Sequence, residues 1–85
     1  MNTDIRIAVL QRGWVLVGHY SREEDRCKLT DASVIRRWGT RKGLGELVQG
    51  PLNGTVLDKC GTVEFEAITG IMTIQCEADK WEHSL

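Results

Sequence analysis

The sequence predicts a mainly β domain of the β-rich α+β type, with five or six short strands in a small bent antiparallel sheet or an SH3-like barrel. Two observations predict this class. Several segments alternate apolar and polar side chains at the two-residue period of a strand, and turns rich in glycine separate them. A single segment, near residues 44–49, has the apolar spacing of a helix. We therefore expect one short helix in an otherwise β fold.

Two strands are predicted in the first quarter of the chain. Ile5, Ile7 and Val9 share one face of the first strand. The segment 11–13, which ends in a glycine, is typical of a tight hairpin turn. The second strand, 14–20, is apolar on both faces in its first half, which is typical of a central strand or of one beneath a subunit contact.

Two structures fit residues 31–38, which follow a charged hairpin tip at 21–26 and an alternating segment at 27–30. Thr30 has a side chain that can cap a helix. The β-branched pair Val34 and Ile35 and the preceding hairpin favour a strand instead, and this is our prediction.

The remaining elements are one helix and three short strands. Leu44, Leu47 and Val48 have helical spacing, and Gly50 followed by Pro51 is typical of a helix stop. The later apolar and alternating segments predict strands, which we place at 55–57, 62–67 and 71–76.

The length of the chain limits the size of the core. The 85 residues are expected to form one domain, 1–85, and a domain of this size buries only about 60 to 65% of the surface of its unfolded form. We therefore expect a homo-oligomer. Residues 77–85 are polar apart from Trp81, and we expect them to form a loosely ordered tail.

Composition bounds the function. The sequence has no apolar run long enough to span a bilayer and no segment with the order of a signal peptide, so we expect no membrane contact. The cysteines Cys27, Cys60 and Cys76 and the histidines His19 and His83 lack zinc-site spacing. We expect reduced thiols and neither a metal nor a cofactor.

Charge is distributed unevenly along the chain. The net charge is -1, but residues 1–43 carry nine Lys or Arg against five Asp or Glu, and residues 44–85 carry two against seven. The asymmetry favours steering of an anionic ligand, or attraction between subunits, if the halves are separate in space. It has no such consequence if they interleave.

The segment 36–51 differs most from ordinary core or turn sequence. Residues 36–42 contain four cationic side chains, one indole and no acid. Glycines lie within and just after this segment, at positions 39, 43 and 45. Cationic side chains, converging amide N–H groups and a helix start are features that bind phosphate, and an indole can stack on a base. The candidate ligand-binding residues are Arg36, Arg37, Trp38, Arg41, Lys42 and Trp14. The alternative is that the glycines turn the chain, the arginines are solvated or pair with the acidic second half, and Trp38 covers the core.

No recognised catalytic arrangement is present in the sequence. His19, Ser33 and Asp31 could supply a Ser-His-acid set, and Asp58, Glu64 and Glu66 a carboxylate pair. Neither set has the sequence context of a nucleophile elbow or a known acid–base motif. We therefore predict no enzymatic activity and assign no catalytic residue.

A set of motifs in the middle of the chain resembles a known family. The segment Leu29-Thr30-Asp31-Ala32, Trp38 followed by Gly39, and the pattern Leu44-x-x-Leu47-x-x-Gly50 are similar to those of small proteins of unknown function from tailed bacteriophages and prophages. The likeness extends from Ile5 to Cys76. It implies a phage origin and action in the host bacterial cytoplasm.

Function is predicted from that context together with the basic segment. Phages encode small, oligomeric, nonenzymatic proteins that counter bacterial immunity, some by sequestering nucleotide signals. We expect a counter-defence protein that holds a phosphate-bearing nucleotide without cleaving it. The alternative is a phage structural or accessory protein that acts through protein–protein contacts. Nucleic acid is a weaker expectation, because the chain is slightly acidic and its basic cluster is short.

Overall fold

The structure is a computed structural model that describes residues 4–85, and its main element is one five-stranded antiparallel sheet. The strands are β1 (Ile5–Leu10), β2 (Val15–Glu23), β3 (Arg26–Arg37), β4 (Val56–Glu66) and β5 (Gly70–Gln75). Short 3-10 helices occupy Gln11–Gly13, Leu44–Gln49, Ala67–Thr69 and Glu82–Ser84, and α1 is the α-helix Ala78–Trp81. The predicted β-rich class is confirmed, and of the two architectures the structure has the open, unclosed sheet.

The order of the strands requires the sheet to bend. The order is β4-β3-β2-β1-β5, so β4 and β5 are its two edges. Only the three residues Ala67–Thr69 connect these edges. Because so short a connection cannot cross a flat five-stranded sheet, the sheet curves until its edges approach at this corner. There the Ala67 N–H donates to the Asp25 carbonyl at 2.7 Å.

A bulge in the middle of β3 supplies part of this bend. Val17 pairs with Ser33 and His19 pairs with Thr30, so two residues of β3 lie opposite Gly18 alone. Asp31, one of the two, has a φ of 52°. A Cβ at Gly18 would lie 3.1 Å from the Ala32 Cα, so glycine permits the close approach of the strands.

Two apolar clusters lie on the bent sheet. The first is centred on the sheet face covered by the 3-10 helix Leu44–Gln49 and by α1, and its buried members are Ile5, Ile7, Val15, Val17, Ile35, Leu47, Cys76 and Trp81. The second cluster has as its buried members Ala8, Leu10, Leu16, Leu29 and Ala32. The central strand β2 contributes to both clusters, as its apolar residues on both faces predicted.

The C-terminal residues are placed differently from our expectation. We expected 77–85 to form a loosely ordered tail, but Ala78–Trp81 is helical and Trp81 is fully buried in the first cluster. The Trp81 Nε1–H donates to the Leu47 carbonyl at 2.7 Å. Burial of the large indole and the hydrogen bond of its N–H group stabilise the docked segment, although the residues around Trp81 are polar.

Other element predictions are confirmed with shifted boundaries. Residues 31–37 are strand, and the helix near 44–49 is present as a 3-10 helix. The strands expected at 55–57 and 62–67 form one strand, β4. Gly61, with a φ of 80°, lets β4 continue through the turn-like segment that we had expected to separate them.

Candidate functional site

The predicted binding residues lie at one end of the sheet. Arg36 and Arg37 are the last residues of β3, Trp14 directly precedes β2, and the rest lie in the loop after β3. We call the set Trp14, Arg36, Arg37, Trp38, Arg41 and Lys42 the basic-aromatic surface. Leu16 pairs with Val34 in antiparallel register, so the start of β2 and the end of β3 lie at the same end of the sheet.

Arg36 is held by an exposed ion pair with the second half of the chain. Its Nε lies 2.8 Å from the Asp58 Oδ2, and both side chains are more than half exposed. Arg26, at the far end of the same strand, makes a similar pair with Glu66 at 3.1 Å. Since β3 and β4 are neighbours, the basic and acidic halves of the sequence interleave here, which removes part of the asymmetry in charge.

The loop after β3 is fixed to the loop that precedes β4. The Thr55 hydroxyl donates to the Trp38 carbonyl at 2.6 Å. Gly39, with a φ of 69°, packs on Gly54 so closely that a Cβ would lie 2.3 Å from the Gly54 carbonyl carbon. Glycine at position 39 is therefore required by both its backbone conformation and this contact.

Two amide groups within the glycine-containing loop are bound by a carboxylate. Glu46 Oε2 accepts hydrogen bonds from the N–H of Arg41 at 2.8 Å and from that of Lys42 at 3.2 Å. The helix that follows has only the six residues Leu44–Gln49. An anion at this surface would therefore be bound by cationic side chains rather than by these two amides.

Both indoles of the surface are accessible. Trp14 is 55% exposed and Trp38 is 40% exposed, whereas Trp81 is fully buried. The alternative interpretation, in which Trp38 covers the core, therefore describes Trp81 better. Two exposed indoles beside four cations provide stacking faces and charge-assisted donors at one end of the sheet.

The basic-aromatic surface is not part of a described cavity. The best-defined cavities on the described residues have volumes of about 190 to 240 Å³, and none of these is lined by any of the six residues. Their volumes are below the 300 to 1,000 Å³, roughly, that is typical of small-molecule sites.

One of these cavities adjoins a polar cluster that the sequence did not indicate. The Tyr20 hydroxyl lies 3.5 Å from Cys27 Sγ, and the Arg6 guanidinium lies 4.8 Å from the centre of the Tyr20 ring. This hydrogen bond and burial raise the pKa of Tyr20. Tyr20 and Cys27 lie seven residues apart on the two strands of one hairpin and Arg6 lies on β1, so strand register brings the three together.

The Ser-His-acid set considered from the sequence is not open to a substrate. Ser33 is fully buried, and its hydroxyl has no hydrogen-bond partner among the described residues. Asp31 is exposed, on the bulge of β3. Among residues 4–85, no group of three or more His, Cys, Asp or Glu side chains could hold a metal ion.

The three cysteines differ in burial. Cys27 and Cys76 are buried, Cys60 is exposed, and all three thiols are free. Burial raises the pKa of the Cys76 thiol to about 11, although a backbone hydrogen bond from Ile7 lowers it in part.

No helix in the described part of the chain is sufficiently long and apolar to cross a membrane.

Comparison with known proteins leaves the family open. No protein-family model matches the chain, and no curated protein or solved structure matches it. The resemblance to phage proteins therefore stays a prediction from the motifs.

Proposed function

We propose that this chain is a nonenzymatic binding protein that sequesters a phosphate-bearing nucleotide at the basic-aromatic surface. The observation that carries the proposal is the exposure of Trp14 and Trp38 beside the cationic end of β3. Exposed indoles can stack on a base while Arg36 and Arg37 bind its phosphate. On the phage resemblance, the nucleotide is an immune signal and the protein acts in the host bacterial cytoplasm.

The ion pair of Arg36 with Asp58 gives the proposal a specific test. Asp58 competes with a phosphate for the guanidinium, and an exposed pair of this kind contributes only about 0 to 1 kcal/mol. A phosphate group that forms charge-assisted hydrogen bonds with the guanidinium can therefore displace it. Asp58→Asn should increase nucleotide affinity, since it frees Arg36 and removes a like charge from the site.

A binding panel tests the proposal. The purified protein is heated with cyclic mono-, di- and trinucleotides, ADP-ribose derivatives and short oligonucleotides. A ligand at 100 times its Kd adds about 2.7 kcal/mol to native stability. For a domain of this size that corresponds to a rise in Tm of roughly 10 °C or more. Recovery of the ligand unchanged would support sequestration over hydrolysis.

Variants then locate the site. Charge reversal at Arg36 and Arg37 should abolish the shift, and Trp38→Ala should weaken it. Arg26→Ala is the matched control, because it breaks a similar exposed ion pair at the other end of β3. Full affinity in the charge-reversal variant would refute this placement.

A protein partner is the second candidate function. The observation that favours it is that none of the six surface residues lines a described cavity. Open surfaces with tryptophan and arginine are typical of the centres of protein interfaces. Two results together would favour this function over nucleotide sequestration. No nucleotide would shift the Tm, and one stoichiometric host protein would be retained by the parent but not by Trp38→Ala.

A further inference from the structure

The two edges of the open sheet differ in their protection against strand pairing. In the described residues, β5 has the single sheet neighbour β1, and β4 has the single neighbour β3. A free edge presents unpaired N–H and C=O groups that can pair with another strand, and proteins guard such edges with charge. The edge β4 carries Asp58, Lys59, Glu64 and Glu66, whereas β5 carries no charge.

The uncharged segment extends beyond β5. Residues 67–76 contain no Asp, Glu, Lys or Arg. Three of the large apolar side chains here are exposed: Ile68 at 84%, Ile71 at 61% and Met72 at 53%. Isolated exposed apolar residues are ordinary, but three within five positions on an unguarded edge form a patch.

The register of β5 on β1 identifies its outward backbone groups. The Cys76 N–H donates to the Ile5 carbonyl, and Ile74 pairs with Ile7 in the same register. In an antiparallel ladder alternate residues bond to the neighbouring strand, so the N–H and C=O of Thr73 and Gln75 point away from β1. The next outward amide along this edge, that of Glu77, already donates to the Val48 carbonyl at 2.9 Å, so a further strand would use the groups of Thr73 and Gln75.

We propose that β5 pairs with β5 of a second copy of this chain, in antiparallel orientation about a two-fold axis near Met72 or Thr73. A two-fold axis sets a residue at the axis opposite its own copy, so a charged residue there would meet a like charge on the partner. Because residues 67–76 are uncharged, every register within this segment avoids that repulsion. The pairing joins two five-stranded sheets and covers Ile71 and Met72.

Charge placement on the two edges tests this interface. The parent dimer is measured by sedimentation equilibrium over a concentration series. Ile71→Lys sets two new cations near the axis and should raise the dimer Kd at least tenfold. Thr62→Lys is the matched control, because it adds the same charge at an exposed position of the other edge strand, β4, and should leave the Kd unchanged.

Amide hydrogen exchange supplies a second measurement in the parent chain. The Thr73 amide should exchange more slowly as the protein concentration rises through the dimer Kd. The Ile74 amide, which faces β1, should change little and serves as the internal reference. Circular dichroism of each variant separates a lost dimer from a lost fold.

Several outcomes would overturn the proposal. It fails if the parent stays monomeric up to about millimolar concentration, or if Ile71→Lys dimerises as tightly as the parent. It also fails if Thr62→Lys weakens the dimer as much, which would place the contact on β4. Nucleotide binding by a parent protein that stays monomeric at every concentration would leave the proposed function intact while excluding this interface.

Discussion

Trp81 should be the largest single contributor to stability from the C-terminal segment. It is fully buried in the first apolar cluster and its Nε1–H is bonded to the Leu47 carbonyl. Trp→Ala substitutions in cores cost about 3 to 5 kcal/mol. Total stability for an 85-residue domain is on the order of 4 to 13 kcal/mol, so Trp81→Ala should remove a large share of it.

Trp81→Phe separates packing from hydrogen bonding. The Leu47 carbonyl still accepts the Gly50 N–H at 3.1 Å, so it is not left without a partner. The lost hydrogen bond then costs about 1 kcal/mol. The smaller ring leaves a cavity that costs about 1 kcal/mol more. The expected total of about 2 kcal/mol corresponds to a fall in Tm of roughly 8 to 16 °C.

Urea unfolding followed by far-UV circular dichroism measures these changes, because the exposed indoles Trp14 and Trp38 would complicate a fluorescence signal. His83→Ala, an exposed change in the same segment, is the control and should stay within about 0.5 kcal/mol of the parent. A Trp81→Ala protein as stable as the parent would refute the docking of residues 77–85 on the core.

Three further predictions concern glycine conformation, pH and thiol reactivity. Gly50→Ala should destabilise the fold by about 1 to 3 kcal/mol or more, because Gly50 has a φ of 106° and a Cβ would lie 2.9 Å from the Lys80 carbonyl oxygen; Gly45→Ala, with open space around it, should be neutral or stabilising in the same urea titration. The free energy of unfolding should fall as pH rises from about 9 towards 11, because the unfolded Cys76 thiol loses its proton while the buried thiol, with a pKa of about 11, keeps it; an equal fall in Cys76→Ala would assign the effect to other groups. A thiol reagent at pH 8 should modify the exposed Cys60 first, and faster labelling of Cys27 or Cys76 would contradict the burial of those two.

Local sequence patterns predicted most of the strands because side-chain alternation is a property of a few neighbouring residues. Val34 and Ile35 favoured strand over helix, and β3 extends through both. The same reasoning failed where a long-range contact decided the outcome. Trp81 is separated by 34 residues from the carbonyl that it binds, and nothing adjacent to it in sequence indicates that contact.

The candidate site illustrates the same limit. Residue type identified the cations and the indoles, and the structure places them at one end of the sheet. Residue type could not reveal that the Glu46 carboxylate binds the amides of Arg41 and Lys42. A carboxylate four or five residues along the chain has no fixed partner until the loop folds. Those two amides are therefore occupied within the loop.

The basic-aromatic surface and the edge strand β5 are connected through the first hairpin. The Gln11 side chain donates to the Ile68 carbonyl, and Gln11 begins the turn that leads to Trp14. A second copy paired along β5 would therefore lie near this turn and could contribute contacts to the basic-aromatic surface. If it does, Ile71→Lys should weaken nucleotide binding as well as dimerisation, while Thr62→Lys changes neither. If nucleotide affinity survives the loss of the dimer, each subunit binds its ligand alone.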